Sequence, residues 1–161
     1  TFEIVDGVNL AAGDYQGNEI GLEYRSSSKR PVFGELELGY GDYYNGTAFK
    51  GEADLSWRPS KHAQINLGAN LTSADLPVGD FDAWTGFLGL RVTPSTRLSF
   101  NSIVQYDNDS EQIGMNNRFR YILKSGSDLF LVFNKGFEKK LDRFRSFKTE
   151  SIAKLGWTFQ F

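Results

Sequence analysis

A period of two dominates this chain. Val32, Gly34, Leu36, Leu38 and Tyr40 alternate with Phe33, Glu35, Glu37 and Gly39. A few residues later Phe49, Gly51, Ala53, Leu55 and Trp57 alternate with Lys50, Glu52, Asp54, Ser56 and Arg58. Successive side chains of an extended strand project to opposite faces, so each stretch predicts a strand with one apolar and one charged face. The alternation recurs at 63–71, 84–92, 98–106, 117–123 and 152–161, and over 19–25. Leu129 to Phe133 is too apolar throughout for its facing to be assigned. Residues 1–14 read as a loop or a weak first strand, ahead of a sheet domain over 15–161. The expectation is all-β, with about 8–10 antiparallel up-and-down strands.

Composition agrees. Aromatics reach 15% of the 161 residues, glycine numbers 17, and there is no cysteine. Phe, Tyr and Gly in that proportion favour strands and tight turns over helices. Absent cysteine excludes a disulfide framework and thiolate metal sites. A net charge of -2 offers no global field for nucleic acid. No run of about 18 apolar residues exists to form a membrane-spanning helix. Membrane-spanning β-strands escape that test, needing only about 10 residues of alternating hydrophobicity. The start Thr1-Phe2-Glu3-Ile4 has no signal-peptide character, which suggests a mature form or a fragment.

Three features favour a transmembrane β-barrel of the bacterial outer membrane over a soluble lipocalin-like barrel carrying an apolar ligand. Short turns at 58–61, 93–97 and 124–128 alternate with loops at 41–47, 73–80, 107–114 and 135–147. That spacing predicts periplasmic turns and extracellular loops. Aromatics sit toward strand ends, with Tyr40, Tyr43, Tyr44, Trp84 and Tyr106 near the loops and Trp57 and Tyr121 near the turns. They are expected to form two girdles at headgroup level. The last strand carries Trp157, Phe159 and Phe161, expected as the signal that barrel-insertion machinery reads.

Several stretches go beyond this general pattern: Gly39-Tyr40-Gly41-Asp42-Tyr43-Tyr44-Asn45-Gly46-Thr47, Leu55-Ser56-Trp57-Arg58-Pro59-Ser60, Asp75-Leu76-Pro77-Val78-Gly79-Asp80-Phe81 and Ser125-Gly126-Ser127-Asp128-Leu129-Phe130-Leu131-Val132-Phe133-Asn134. In order from about Tyr15 to Asn134, the chain resembles the C-terminal barrel of a family of uncharacterised bacterial outer-membrane proteins. Long members of that family carry an N-terminal carbohydrate-binding-type module. Such barrels are usually longer, so the resemblance implies a C-terminal segment of a larger protein, in the outer membrane. It implies no activity.

Candidate chemistry is sparse. The only histidine, His62, follows a short turn on the polar face, away from the rim where outer-membrane hydrolases meet substrate. Glu35, Glu37, Glu52 and Asp54 share a face with Lys50, Arg91, Arg118, Arg120 and Lys154. Acid–base work or Ca²⁺ binding is conceivable for clustered carboxylates. A salt-bridged lumen is the better reading, because buried charge must be paired. Arg118 and Arg120 are expected to pair with that carboxylate group. Asp107-Asn108-Asp109-Ser110-Glu111 lacks the glycine and closing glutamate of a calcium loop. Lys139, Lys140, Arg143, Arg145 and Lys148 make a basic loop suited to lipopolysaccharide phosphates or simply to water. The expected function is therefore a membrane anchor or narrow channel. It is expected to need no cofactor, metal or catalytic set. Its expected partners are outer-membrane lipids, lipopolysaccharide, the insertion machinery and an N-terminal or periplasmic domain.

Overall fold

The computed structural model describes residues 1–5 and 7–158. Two short strands, β1 (Phe2–Val5) and β2 (Val8–Leu10), pair as a hairpin of their own. Nine more follow: β3 (Glu19–Arg25), β4 (Val32–Tyr43), β5 (Gly46–Ser60), β6 (Ala63–Asp75), β7 (Phe81–Ser95), β8 (Leu98–Asp107), β9 (Gln112–Lys124), β10 (Ser127–Lys140) and β11 (Arg143–Trp157). Each pairs antiparallel with its sequence neighbour, giving a nine-stranded meander. The two outermost strands, β3 and β11, are not hydrogen-bonded to each other, so the sheet is open.

Register decides which face each side chain takes. Leu55 lies opposite Leu67, Leu67 opposite Leu88, Leu88 opposite Val104, and Val104 opposite Met115. On the other parity Gly39 meets Lys50, Lys50 meets Thr72, and Glu52 meets Asn70. Slipping any strand by one residue would exchange its faces, so the alternation itself pins the register. Hydrogen-bonded rows also climb across the sheet. The row through Leu55 and Leu67 starts at Gly34, near the beginning of β4, and reaches Met115 near the beginning of β9. Because β4 and β9 run in opposite directions, that row passes from one end of the sheet toward the other. Such stagger is what tilted strands produce.

The connections differ from those expected. At one end they are residues 44–45, 76–80, 108–111 and 141–142, and at the other 26–31, 61–62, 96–97 and 125–126. The segments 41–47 and 135–147 are mostly strand, and the longest connection lies at the end expected to carry only short turns. Polarity misled the reading there. A ladder needs only backbone partners, and glycines and charges continue it wherever both faces meet water. At 141–142 the turn is a two-residue hairpin with both residues left-handed, φ 51° for Leu141 and 59° for Asp142. This geometry matches strand twist but normally selects Asn and Gly.

The other difference is at the N-terminus. The β1–β2 hairpin is neither a loop nor a tenth strand of the sheet. Val8 packs with Ala48, Ala74 and Leu76 in a small buried cluster, flanked by Ile4, Tyr43 and Phe81. With Leu10, these are the buried hydrophobic residues among those described. Elsewhere the apolar sheet face is bare: Leu55, Leu67 and Leu88 are each 48% exposed although they lie mid-sheet.

Candidate functional site

The candidate site is the polar face together with the cap at one end of it. The register puts Glu35, Glu37, Lys50, Glu52, Asp54, Arg91, Arg118, Arg120 and Lys154 on that face, as their strand parity requires. It also makes one side richer in acids and the other richer in bases, with Lys50 standing among the acids. Glu23, Glu37 and Glu52 form one row across β3, β4 and β5, and Glu35 lies beside Asp54 in the next. Arg91, Arg118, Arg120 and Lys154 lie on β7, β9 and β11. Five strands at about 4.8 Å spacing put β5 and β9 roughly 19 Å apart along the sheet.

Ion pairs are accordingly local. Arg25 Nε donates to Glu35 at 2.9 Å, and the same guanidinium lies 3.3 Å from Glu23. Lys50 reaches over Gly39 to Glu19 at 2.6 Å, where a side chain at position 39 would meet the Glu19 carboxylate. Arg120 pairs with Asp128 through Nε and Nη2, both at 2.8 Å. This corrects the expected pairing of Arg120 with the β4–β5 carboxylates, since a neighbouring strand supplies an acid within reach and the acidic wall is four strands away. Arg118 is exposed on the same wall. Amides and hydroxyls connect the rest. Arg91 Nε donates to Asn101 at 3.3 Å, Ser56 to Asn66 at 2.8 Å, and Asn134 to Glu150 at 3.2 Å.

The cap closes over the polar side. Ala48 and Ala74 have the parity of Lys50 and Thr72, so the hairpin sits on the charged face and not on the leucines. Tyr43 shares this parity and stacks edge-on against Tyr44 at 4.7 Å and Phe81 at 6.4 Å. Burial there and the adjacent Tyr44 raise the Tyr43 phenol above its ordinary pKa. Tyr15 and Phe2 add edge contacts to Tyr44. Tyr43 and Tyr44 therefore belong to the cap, whereas Tyr40, Trp84 and Tyr106 lie on the apolar face near the same end. Trp84 and Tyr106 touch at 5.1 Å, and Trp57 and Tyr121 occupy the apolar face toward the opposite end. A connection of one ring to its neighbour was not legible from spacing alone.

The other candidates resolve simply. His62 holds the Thr93 carbonyl with Nδ1 at 2.8 Å, which makes it a turn brace. Asp107 accepts from Ser110 N and Oγ, closing the β8–β9 turn. Among the described residues no group of acids and histidine is arranged to hold a metal ion. The basic loop is the end of a hairpin, and strand parity splits it. Lys139 pairs with Glu111 at 2.7 Å, which raises its pKa through that hydrogen bond and charge, while Arg143, Arg145 and Lys148 take the opposite face. Of the expected insertion signal, Trp157 lies opposite Ser127 with Lys124 over its ring at 4.2 Å. Phe159 and Phe161 lie outside the described residues. Among the described residues no helix is long and apolar enough to cross a membrane, which leaves crossing by strands untouched. Comparison of the chain with protein-family models, curated proteins and solved structures gives no match.

Proposed function

We propose that this chain is the wall of an outer-membrane β-barrel, acting as a membrane anchor or a narrow, capped channel. The observation that carries the reading is the bare apolar face. Leucine, tryptophan and tyrosine cover one side of an in-register nine-stranded sheet, and the buried core is confined to the cap. A soluble chain of this size would bury most of its large apolar side chains, and extended exposed patches mark a surface with another solvent or partner. Lipid suits this face because aromatics border it at both ends and leucines fill its middle. In hydrocarbon every backbone donor and acceptor needs an internal partner, so the sheet closes around its charged face. The charges then line a lumen, with an acid-rich side and a base-rich side facing each other. The resemblance to outer-membrane barrels points the same way.

Membrane fractionation tests this directly. Carbonate washing should leave the protein in the pellet and detergent should release it. Release by carbonate alone would favour a soluble carrier whose apolar face turns inward on a ligand. In planar bilayers the capped protein should conduct little, and removing residues 1–14 should raise the conductance of each channel. Equal conductance with and without the hairpin would leave the cap without a gating role.

A further inference from the structure

The direction of the two open edges limits what can complete this sheet. In an antiparallel meander directions alternate, so the first and ninth strands run the same way. β3 and β11 both run from the capped end to the opposite end: Glu19 lies beside Gly41 near the β4–β5 turn, and β11 starts at the 141–142 turn. Joining β3 to β11 would therefore make a parallel pair, unlike every other pair in the sheet. A second copy does no better. Membrane insertion gives copies one orientation, so β11 of one copy and β3 of another would again be parallel. What fits both edges antiparallel is one additional strand, or any odd number, running from the turn end to the capped end.

Exposure marks both edges as incomplete. Ile20 is 77% exposed and Leu22 63% on β3, and Leu155 is 65% exposed on β11, against 48% for the mid-sheet leucines. An inner strand has covering neighbours on both sides and an edge strand on one. Long bare edges also leave rows of backbone donors and acceptors unmatched, which bilayers do not tolerate.

We propose that the sheet is completed by an odd number of strands, in the simplest case one, from the same polypeptide outside residues 1–161. This rests on the barrel reading above. The polypeptide is the natural source because every connection within the sheet joins sequence neighbours, and the next strand beyond either edge of a meander has the required direction. Its chemistry follows from its neighbours. About 10 residues alternate, with apolar side chains level with Leu22 and Leu155 and polar ones between Glu23 and Lys154.

Two measurements test it. Membranes of producing cells are washed with carbonate, treated with protease, and the protected fragment is weighed by mass spectrometry. A fragment extending at least one strand beyond residues 1–161 supports the proposal, and one lying wholly within them overturns it. Loss of the protein in the carbonate wash would instead overturn the membrane reading, so the two failures are distinct. In the second measurement, the 161-residue chain carrying Leu22→Cys and Ala153→Cys is refolded in detergent micelles and treated with a short bifunctional maleimide. No cross-link between the two positions is expected. An intramolecular link would show self-closure and an intermolecular link would show closure by a second copy, and either result overturns the proposal.

Discussion

The capped end and the middle of the sheet are built from the same strands yet obey opposite rules. At the cap, alanines 48 and 74 accept a hairpin, and Leu10 is 1% exposed. A few residues along the same strands, Leu55 and Leu67 are directly paired and half exposed. The difference lies in which face is covered. The cap buries small residues on the charged side, whereas the large apolar residues opposite have no protein partner. Protein packing therefore stabilises the cap, and the sheet face depends on its surroundings.

Changing the surroundings should separate the two regions most strongly. Leu88→Arg, mid-sheet on the apolar face, should cost about 2–4 kcal/mol in lipid if it lies near the midplane. The same substitution on a water-facing surface should cost almost nothing. Refolding equilibria in bilayers measure the difference, and a cost near zero would break the comparison.

Next in size is the cap. Leu10→Ala should cost about 2 kcal/mol, the low end for a buried leucine because so small a core can relax. The loss should appear as hairpin release, seen in faster proteolysis before Tyr15, with the sheet's thermal transition little changed. Concerted loss of both would mean that the cap and sheet form one cooperative unit.

The 141–142 turn should respond in the opposite direction. Replacing Leu141 by Asn and Asp142 by Gly fits left-handed backbone and should stabilise the β10–β11 hairpin by about 1 kcal/mol, raising the melting temperature. An unchanged or lower value would show that the turn carries no strain. Smallest of all should be Arg120→Ala, which removes a half-exposed pair with Asp128. Exposed pairs contribute about 0.2–1 kcal/mol, so a larger loss in refolded protein would show that the pair is shielded from water, as a closed lumen requires.

The strands themselves were written in the alternation. From Val32 to Trp157 each segment with period two became a strand, and hydrophobic facing chose its register, because a one-residue slip would put Leu67 among charges and Asn66 among leucines. Strand ends were not so legible. Gly41 to Thr47 and Lys135 to Ser146 looked like loops because their side chains suit water, but hydrogen bonding to a neighbouring strand is a pairwise property that no single segment displays. The shared face of the nine charged residues followed from parity, yet the partner of Arg120 did not. Whether Arg120 reaches Asp128 or Glu52 depends on side-chain conformation and on how far the sheet curls, and both are tertiary.

Sequence alone thus determined the β class, the two faces and the neighbour-to-neighbour meander, all consequences of local periodicity and short connections. Only the tertiary structure decided that β1 and β2 fold back as a cap, that one side of the polar face is richer in acids and the other in bases, and that both edges point the same way. Those depend on contacts between segments far apart in the chain, where the physical determinant is which surfaces meet and not which residues alternate.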